Sequence, residues 1–288
     1  MLPPLPARPR DTDKSKMGRV LVVAGSHGMA GAAALSAEAA MRSGCGYVYI
    51  ATASSVAPQL TTALPSAILR HSLRASQARL GWDDLPLIFD ALRSVDAVVV
   101  GPGLGESCEE WLGEFLGRLE MVPTVFDADA LNALSRRREW LQQLSRCHVI
   151  TPHAGEASRL LGWGNDASRV NTARHSALSQ LCTVTRATIV LKGADTLIAQ
   201  RGAPTVTNTT GNAGLAKAGS GDVLSGIIGA LMARGMRALD ASIAAAWVHG
   251  RSADLLAAEV GEESYISSDL ARALGRAFSD YQQAVSAT

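Results

Sequence analysis

Residues 211–226 read GNAGLAKAGSGDVLSG and lead into a long apolar segment. Small residues let a main chain turn so that several N–H groups converge on one point. A helix beginning near Gly221 adds the positive end of its dipole there, and this combination attracts phosphate. Asp222 lies at the edge of the loop, where a carboxylate can act as a base on a neighbouring group. The stretch therefore predicts phosphoryl chemistry.

A purely structural role is the alternative for Asp222. An aspartate in the first turn of a helix is stabilised by the helix dipole by about 0.3–1 kcal/mol. That role leaves the run of small residues before it, 218–221, unexplained. We therefore favour a chemical role for this carboxylate.

Around this stretch, continuous apolar strands alternate with helices, which is typical of an α/β fold with a mostly parallel central sheet and helices on both faces. The predicted strands are 19–24, 47–51, 97–100, 124–127, 148–151 and 188–191, with an edge strand near 67–69 and a hairpin over 196–199 and 205–207. The predicted helices are 31–43, 109–119, one that follows Pro152 and runs through Leu161, 167–181, 223–233 and 241–258. Because there is no repeat and no break in composition, we expect a flexible N-terminal tail over 1–17 and a single domain over 18–288.

Composition excludes several classes of protein. Charged residues make up 18% of the chain and the net charge is +1, which argues against a nucleic-acid surface dominated by electrostatics. The four cysteines lack the spacing of a zinc or redox motif, so we expect reduced thiols in a cytoplasmic protein. No apolar run reaches about 18 residues and no signal peptide is recognisable, so we expect no membrane association.

Polar or glycine-rich motifs follow five predicted strands, at the ends where α/β sheets bind ligands. They are residues 25–32, 101–105, 127–132, 151–156 and 192–196. The segment 25–32 lacks the spacing of a dinucleotide or Walker motif, and tight turns remain the alternative for it and for 101–105. Asp127 and Asp129 are carboxylates of the kind that hold Mg²⁺ beside phosphates, with helix capping as the alternative for Asp129.

Two further side chains at these strand ends are candidates for chemistry. His153 follows a strand end and lies three residues before Glu156, so it is a candidate acid–base group, with a satisfied structural histidine as the alternative. Lys192 follows an apolar strand and would pair with phosphate oxygens if it faces the open end of the sheet. A solvated lysine in a hairpin turn is the alternative.

Taken in order, the motifs resemble one family over nearly the whole chain. The segments that carry the resemblance are 22–26 with 30–32, 100–105, 127–132, 151–156, 191–193 and 211–222. They are similar to the ADP/ATP-dependent NAD(P)H-hydrate dehydratases, which have a ribokinase-like fold. The resemblance implies a metabolite-repair lyase that uses ADP, or ATP, to phosphorylate the ring hydroxyl of hydrated NADH or NADPH. Loss of phosphate would then regenerate NAD(P)H, with Mg²⁺ as the expected ion and its ligands unassigned.

The resemblance also implies roles for individual residues. Asp222 corresponds to the general base and to a contact with the hydrated dinucleotide. The other dinucleotide contacts would be Ala32, Gly103, His153, Glu156 and Arg159. The nucleotide would be bound by Lys192, Gly193, Ala194, Asp195 and Thr196, together with the anion-hole residues Gly219, Ser220 and Gly221. Ala24, Ala213 and Ala218 depart from the family's usual glycine, proline and glycine, but all three are small enough to keep the backbone approach.

Two other functions stay open. A small-molecule kinase of the same fold, of the hydroxymethylpyrimidine or hydroxyethylthiazole type, would use the same loop and base. A non-catalytic nucleotide-binding module would use them without turnover. The long alanine-rich helices suggest a homo-oligomer, with a tetramer as the candidate state. A separate NAD(P)H-hydrate epimerase is a candidate partner, because only a short tail precedes Val20 and the epimerase activity is expected to be absent from this chain.

Overall fold

The computed structural model describes residues 2–71, 77–119 and 121–287. Their strands are β1 (Arg19–Val23), β2 (Tyr47–Thr52), β3 (Ile68–His71), β4 (Ala97–Val100), β5 (Thr124–Phe126), β6 (His148–Ile150), β7 (Thr188–Leu191), β8 (Thr196–Ala199) and β9 (Val206–Asn208). They form one sheet in the order β3-β2-β1-β4-β5-β6-β7-β8-β9. The strands from β3 to β7 in this order pair in parallel, and β8 and β9 pair antiparallel. The mostly parallel sheet and the hairpin are as predicted.

Helices cover both faces of this sheet. They are α1 (Ala30–Arg42), α2 (Ala57–Ala63), α3 (Leu85–Leu92), α4 (Glu109–Leu119), α5 (Asp129–Arg136), α6 (Ala154–Leu161), α7 (Ala167–Thr172), α8 (Arg174–Val184), α9 (Ser220–Ala233), α10 (Ala238–Val260) and α11 (Ser267–Ser286). Short 3-10 segments lie at Lys14–Met17, Trp82–Asp84, Glu106–Cys108, Arg138–Gln143 and Ala213–Leu215.

The central strands bury both of their faces. In β1, Val20 and Val22 point into the core that contains α1, α9, α10 and α11, and Leu21 and Val23 point into the core on the other face. Side chains alternate along a strand, so a strand covered on both sides must be apolar throughout. This double burial explains why the strands could be read from continuous apolar runs.

Helices α1 and α9 pack closely, and a glycine permits it. A Cβ on Gly226 would lie 2.2 Å from the carbonyl oxygen of Ser36. The Ser36 hydroxyl donates to the main-chain oxygen of Asp222, 2.9 Å away. The close packing therefore fixes the first turn of α9, which carries Asp222, against α1.

The single helix predicted over 167–181 is wrong, because the structure has two helices there. Ala173 leaves helical geometry at φ −132°, and separates α7 from α8. Asp166 caps α7 by accepting from the Arg169 N–H at 2.9 Å. Arg174, the first residue of α8, then reaches the end of β7, and the break therefore has a consequence for the site.

The N-terminal segment is docked, which corrects the expectation of a flexible tail. Leu2 and Leu5 pack against the core. The main-chain oxygen of Pro3 accepts from the Tyr281 hydroxyl at 2.6 Å, and that of Pro6 accepts from Arg234 at 2.9 Å. Prolines fix φ and so reduce the entropy lost on docking, while the two leucines bury apolar surface.

Several helices were not predicted, among them α2, α3 and the C-terminal α11. The structure buries Leu270, Leu274 and Tyr281 of α11, at helical spacing, against α10 and α1. In the described ranges, no helix combines the length and the apolar character needed to cross a membrane.

Candidate active site

The glycine-rich loop and the start of α9 form the expected anion-binding geometry. Gly219 has φ 89°, a left-handed conformation that favours glycine, and α9 begins at Ser220. A Cβ on Gly219 would lie 2.5 Å from Leu35, and one on Gly221 would lie 3.2 Å from the Lys192 ammonium nitrogen. The N-terminus of a long helix thus faces the site, with its first N–H groups directed to it.

Asp222 lies in the first turn of α9 and is only partly accessible. Burial raises the pKa of its carboxyl to about 7, and the nearby Asp127 carboxylate adds to the effect. Lys192 acts in the opposite direction. A carboxyl with this pKa is divided between its acid and base forms near neutral pH, which suits a general base.

Lys192 and Asp127 form the central ion pair of the site. The Lys192 ammonium lies 2.9 Å from Asp127 Oδ1 and 3.8 Å from Glu156 Oε2. The Ser225 hydroxyl and the Ala128 N–H also donate to Asp127. Lys192 and Ser225 hold the pKa of Asp127 below its usual range despite burial. The reading of Lys192 as a solvated hairpin lysine is therefore wrong.

Asp127 and Asp129, the carboxylates considered as holding Mg²⁺ directly or through water, both accept hydrogen bonds in this geometry. The oxygens of Asp127 are occupied by Lys192, Ser225 and Ala128. Asp129 Oδ2 accepts from the Gly105 N–H at 2.8 Å, so it braces the 101–105 loop and does not cap α5. Across residues 2–71, 77–119 and 121–287, no group of three or more histidine, cysteine or acidic side chains is placed to hold a metal ion.

His153 and Glu156 form a reciprocal cap at the start of α6. His153 Nδ1 accepts from the Gly155 N–H at 3.0 Å, and Glu156 Oε2 accepts from the His153 N–H at 2.8 Å. Burial and Lys192 lower the pKa of His153, so the ring is neutral with its proton on Nε2. A structural, helix-capping role thus accounts for Nδ1 of the His153 ring. The other ring nitrogen, Nε2, lies 3.6 Å from Glu156 Oε2, beyond hydrogen-bond distance, and on a side chain that is 54% exposed it can donate to a ligand.

Glu156 is almost fully buried beneath this cap. Burial raises the pKa of its carboxyl to about 7, while Lys192 counteracts the shift. Glu156 therefore supports Lys192 and His153 from below, and it reaches a ligand less directly than the sequence predicted.

Another set of predicted residues lines a neighbouring surface. A Cβ on Gly103 would lie 3.0 Å from the Ala32 side chain, so these two positions are adjacent. Arg159 donates to Asn132 at 2.9 Å and to Asn165 at 2.7 Å, which fixes its guanidinium beside α5. The structure thus brings the 101–105 loop next to the start of α1. It also brings Arg159 next to the 127–132 motif.

The segment 192–196 is shaped by an arginine that sequence reasoning missed. Arg174 donates to the main-chain oxygens of Leu191 and Lys192 at 3.0 and 3.2 Å. A Cβ on Gly193 would lie 2.6 Å from the Arg174 guanidinium. Gly193 and Asp195 have φ 140° and 53°, and the exposed loop ends where Thr196 begins β8. A ligand can therefore approach the main chain of this segment.

His249 was also missed. Its Nε2 lies 3.3 Å from the Ser220 hydroxyl, and burial lowers the pKa of the ring to about 4. A neutral imidazole thus contacts the hydroxyl at the start of α9. The signal available in the sequence was a lone histidine inside an alanine-rich helix, which is more often structural.

The doubly covered sheet with its hairpin, the anion-binding helix start and the carboxylate beside it define a ribokinase-like α/β protein. A sequence model described as NAD(P)H-hydrate dehydratase matches residues 20–276. The chain belongs to the NAD(P)H-hydrate dehydratase family.

Individual relatives agree with this family. The chain is 38% identical over 259 residues to the ADP-dependent (S)-NAD(P)H-hydrate dehydratase of Neisseria meningitidis serogroup B, covering 88% of this chain and 82% of the relative. It is 38% identical to the bifunctional NAD(P)H-hydrate repair enzyme Nnr of Coxiella burnetii, covering 94% of this chain and 52% of the relative. The chain therefore spans about half the length of such bifunctional relatives.

A solved structure shows the same architecture. The ADP/ATP-dependent NAD(P)H-hydrate dehydratase of Bacillus subtilis, co-crystallised with ATP and Mg²⁺, superposes with a TM-score of 0.79 at 28% identity. The match covers 96% of this chain and 94% of that structure.

Proposed function

We propose that this protein uses ADP, or ATP, to dehydrate hydrated NADH or NADPH back to NAD(P)H. The observation that carries the proposal is Asp222, held at the N-terminus of α9 with a carboxyl pKa raised to about 7. A base beside an anion-binding helix start is what transfer of a phosphoryl group to a hydroxyl requires. The family and the Neisseria relative's ADP dependence point to the same reaction.

The reaction proceeds in two stages. Asp222 accepts the proton of the ring hydroxyl, whose oxygen attacks the terminal phosphoryl group of the nucleotide. The bond from that phosphorus to the bridging oxygen breaks, which releases AMP when ADP is used. The ring-nitrogen lone pair then expels the phosphate group as inorganic phosphate, which leaves an iminium ion. Loss of a proton from the adjacent ring carbon to solvent forms the ring double bond and restores the reduced nicotinamide. Phosphate leaves far more readily than hydroxide.

The remaining site residues bind and orient the two ligands. Gly219, Ser220 and Gly221 present main-chain N–H groups to the phosphoryl group in transit. Lys192 supplies positive charge between Asp127 and the nucleotide, whose phosphates lie along Gly193, Ala194, Asp195 and Thr196. The hydrated dinucleotide occupies the surface formed by Ala32, Gly103, His153 and Arg159, with Glu156 beneath His153. His153 Nε2 is a hydrogen-bond donor toward it.

Mg²⁺ fits this site as an ion that arrives with the nucleotide. Mg²⁺ is commonly held by one or two carboxylates together with substrate phosphates. Within the described ranges the Asp222 carboxylate accepts no hydrogen bond, and one oxygen of Glu156 is also unused. The phosphate oxygens would hold the ion directly and these two carboxylates through its water ligands, which would leave Asp222 free to accept the hydroxyl proton. The ion would neutralise charge on the transferring group.

The test is recovery of reduced-nicotinamide absorbance from hydrated NADH and hydrated NADPH, each with ADP and with ATP. We expect recovery, release of one phosphate per turnover and formation of AMP from ADP. If absorbance recovers with neither ADP nor ATP, the proposed dehydratase function is refuted. Phosphorylation of a hydroxymethylpyrimidine or a hydroxyethylthiazole, measured separately as ATP-dependent formation of the phosphate ester, would favour the kinase instead.

The Neisseria relative's name specifies the S hydrate, and we extend that preference to this chain. Asp222 is fixed on one side of the site, so a hydroxyl of only one configuration reaches it. With a mixture of epimers, recovery should stop when one epimer is consumed and resume on addition of an NAD(P)H-hydrate epimerase. We also retain a homo-oligomer, with a tetramer as the candidate state, which light scattering would test.

A further inference from the structure

Lys217 lies inside the glycine-rich stretch, and the reaction above gives it no role. Its ammonium group donates to the main-chain oxygens of Glu262, Glu263 and Tyr265 at 3.0, 3.1 and 2.6 Å. It also lies 4.5 Å from the centre of the Tyr265 ring. A lysine ammonium has three donor hydrogens, and three carbonyl oxygens converge on this one.

The three carbonyl oxygens lie just beyond the end of α10, at Val260. The C-terminal end of a helix carries partial negative charge and favours a cation. Carbonyl oxygens alone can take the place of the hydration shell of a monovalent ion, whereas divalent ions generally need carboxylates. The chemistry of this group of oxygens is therefore that of a monovalent cation site filled by a side chain.

The same segment contacts the glycine-rich loop at other points. The Tyr265 hydroxyl donates to Asn212 Oδ1 at 2.7 Å, and the Ser267 hydroxyl donates to the Ala218 oxygen at 2.6 Å. The main-chain oxygen of Lys217 accepts from the Ser220 N–H at 3.4 Å. Lys217 thus joins the segment 262–267 to the residue at which α9 begins.

We propose that Lys217 is a tethered monovalent cation that fixes the anion-binding loop, and that its removal opens a binding site for free NH₄⁺ or K⁺. Lys217 is a positioning residue, since the three donor hydrogens of its ammonium are spent on the carbonyl oxygens of Glu262, Glu263 and Tyr265. The wild-type protein carries its own cation and should need no added monovalent ion for this purpose.

The test compares Lys217→Ala with Lys217→Met in buffers that contain NH₄⁺, K⁺ or tetramethylammonium at matched ionic strength. The alanine variant leaves space between the carbonyl oxygens, whereas the methionine variant fills it with an uncharged chain. We expect Lys217→Ala to lose about tenfold to a hundredfold in dehydratase turnover with tetramethylammonium, because small displacements of a site cost that much. NH₄⁺ and K⁺ should restore most of it, but should not rescue Lys217→Met.

Thermal unfolding gives a readout independent of the reaction. NH₄⁺ and K⁺ should raise the Tm of Lys217→Ala above that in tetramethylammonium, since a ligand that binds only the folded state stabilises it. The wild type, Lys217→Met and the exposed control Lys16→Ala should show no such difference.

The turnover measurements depend on the proposed function, whereas the measurements of Tm do not. Absence of wild-type turnover would reject the function and leave the cation site to be judged by Tm. Equal Tm values of Lys217→Ala in all three buffers would reject the site, as would failure of that variant to fold even in NH₄⁺.

Discussion

The ammonium nitrogen of Lys192 lies 2.9 Å from Asp127 Oδ1, although 65 residues separate them in the chain. The pair is surrounded by Glu156, Ser225 and the first turn of α9. It joins the segment 192–196, proposed to bind the nucleotide, to the carboxylates around Asp222. We therefore expect charge balance at this pair to affect both nucleotide binding and the protonation of the proposed base.

Lys192→Ala should raise the KM for the nucleotide more than it raises the KM for the hydrated dinucleotide. The variant removes the charge that we propose faces the nucleotide phosphates, and it leaves Asp127 buried without its charged partner. Breaking a buried pair costs on the order of 3 kcal/mol, so the free energy of unfolding should also fall. Steady-state kinetics and urea unfolding measure the two effects. Equal increases in both KM values would contradict the assignment of Lys192 to the nucleotide.

The turnover rate should depend on the ionisation of Asp222. Its carboxyl pKa of about 7 means that kcat/KM for the hydrate rises with pH and levels off above neutrality, since only the carboxylate accepts the proton. A pH profile under single-turnover conditions measures this. A profile that stays flat from about pH 5 to 9 would contradict the role of Asp222 as the base.

The raised pKa of Asp222 also makes the free energy of unfolding depend on pH in a known direction. The pKa is raised in the folded state, so the folded protein binds more protons than the unfolded chain between about pH 4 and 7. The contribution of Asp222 to the free energy of unfolding therefore falls as pH rises through this window. Asp222→Asn should remove that contribution, leaving the similar one of Glu156, and stabilise the protein by about 1–3 kcal/mol at pH 8. Urea unfolding at both ends of the window is the measurement.

Gly219→Ala should impair folding and activity together. Gly219 has φ 89°, and an added Cβ would lie 2.5 Å from Leu35. The expected cost is about 1–3 kcal/mol. The matched control is Gly275→Ala in α11, where an added Cβ meets nothing within 4 Å, and which should stabilise by about 0.5–1 kcal/mol. Equal effects of the two substitutions would show that the conformation of the loop is unimportant.

Two buried histidines predict sensitivity to acid. Burial lowers the pKa of both His148 and His249 to about 4, below the usual value of about 6.5. Between these values the unfolded chain binds more protons at these two sites, so the contribution of each histidine to stability is lost as pH falls from about 6.5 to 4, opposite in sign to the contribution of Asp222. His148→Asn should remove its own share, so that lowering the pH over that range destabilises the variant less than it destabilises the wild type. An unchanged slope would show that His148 does not titrate with folding.

Much of the fold could be read from the sequence because burial on both faces makes each central strand apolar throughout. The strand-end motifs could be placed because parallel strands share one functional edge. The side chains that contact those motifs could not be predicted from the sequence. The Lys192–Asp127 contact and the position of Arg174 depend on tertiary packing across several elements. The docked segment that holds Leu2 and Leu5 also went unrecognised, because the surface that receives it forms only in the folded chain.

The most direct test of the central claim is the turnover of Asp222→Asn with saturating ADP and hydrated NADH, beside ADP binding measured by calorimetry. Asparagine keeps the shape of the side chain but cannot accept the hydroxyl proton. We expect kcat to fall at least about 10²-fold, the usual contribution of a positioned base, with ADP affinity changed little. Wild-type turnover by this variant would contradict the assignment of Asp222 as the base that prepares the nicotinamide hydroxyl for phosphorylation.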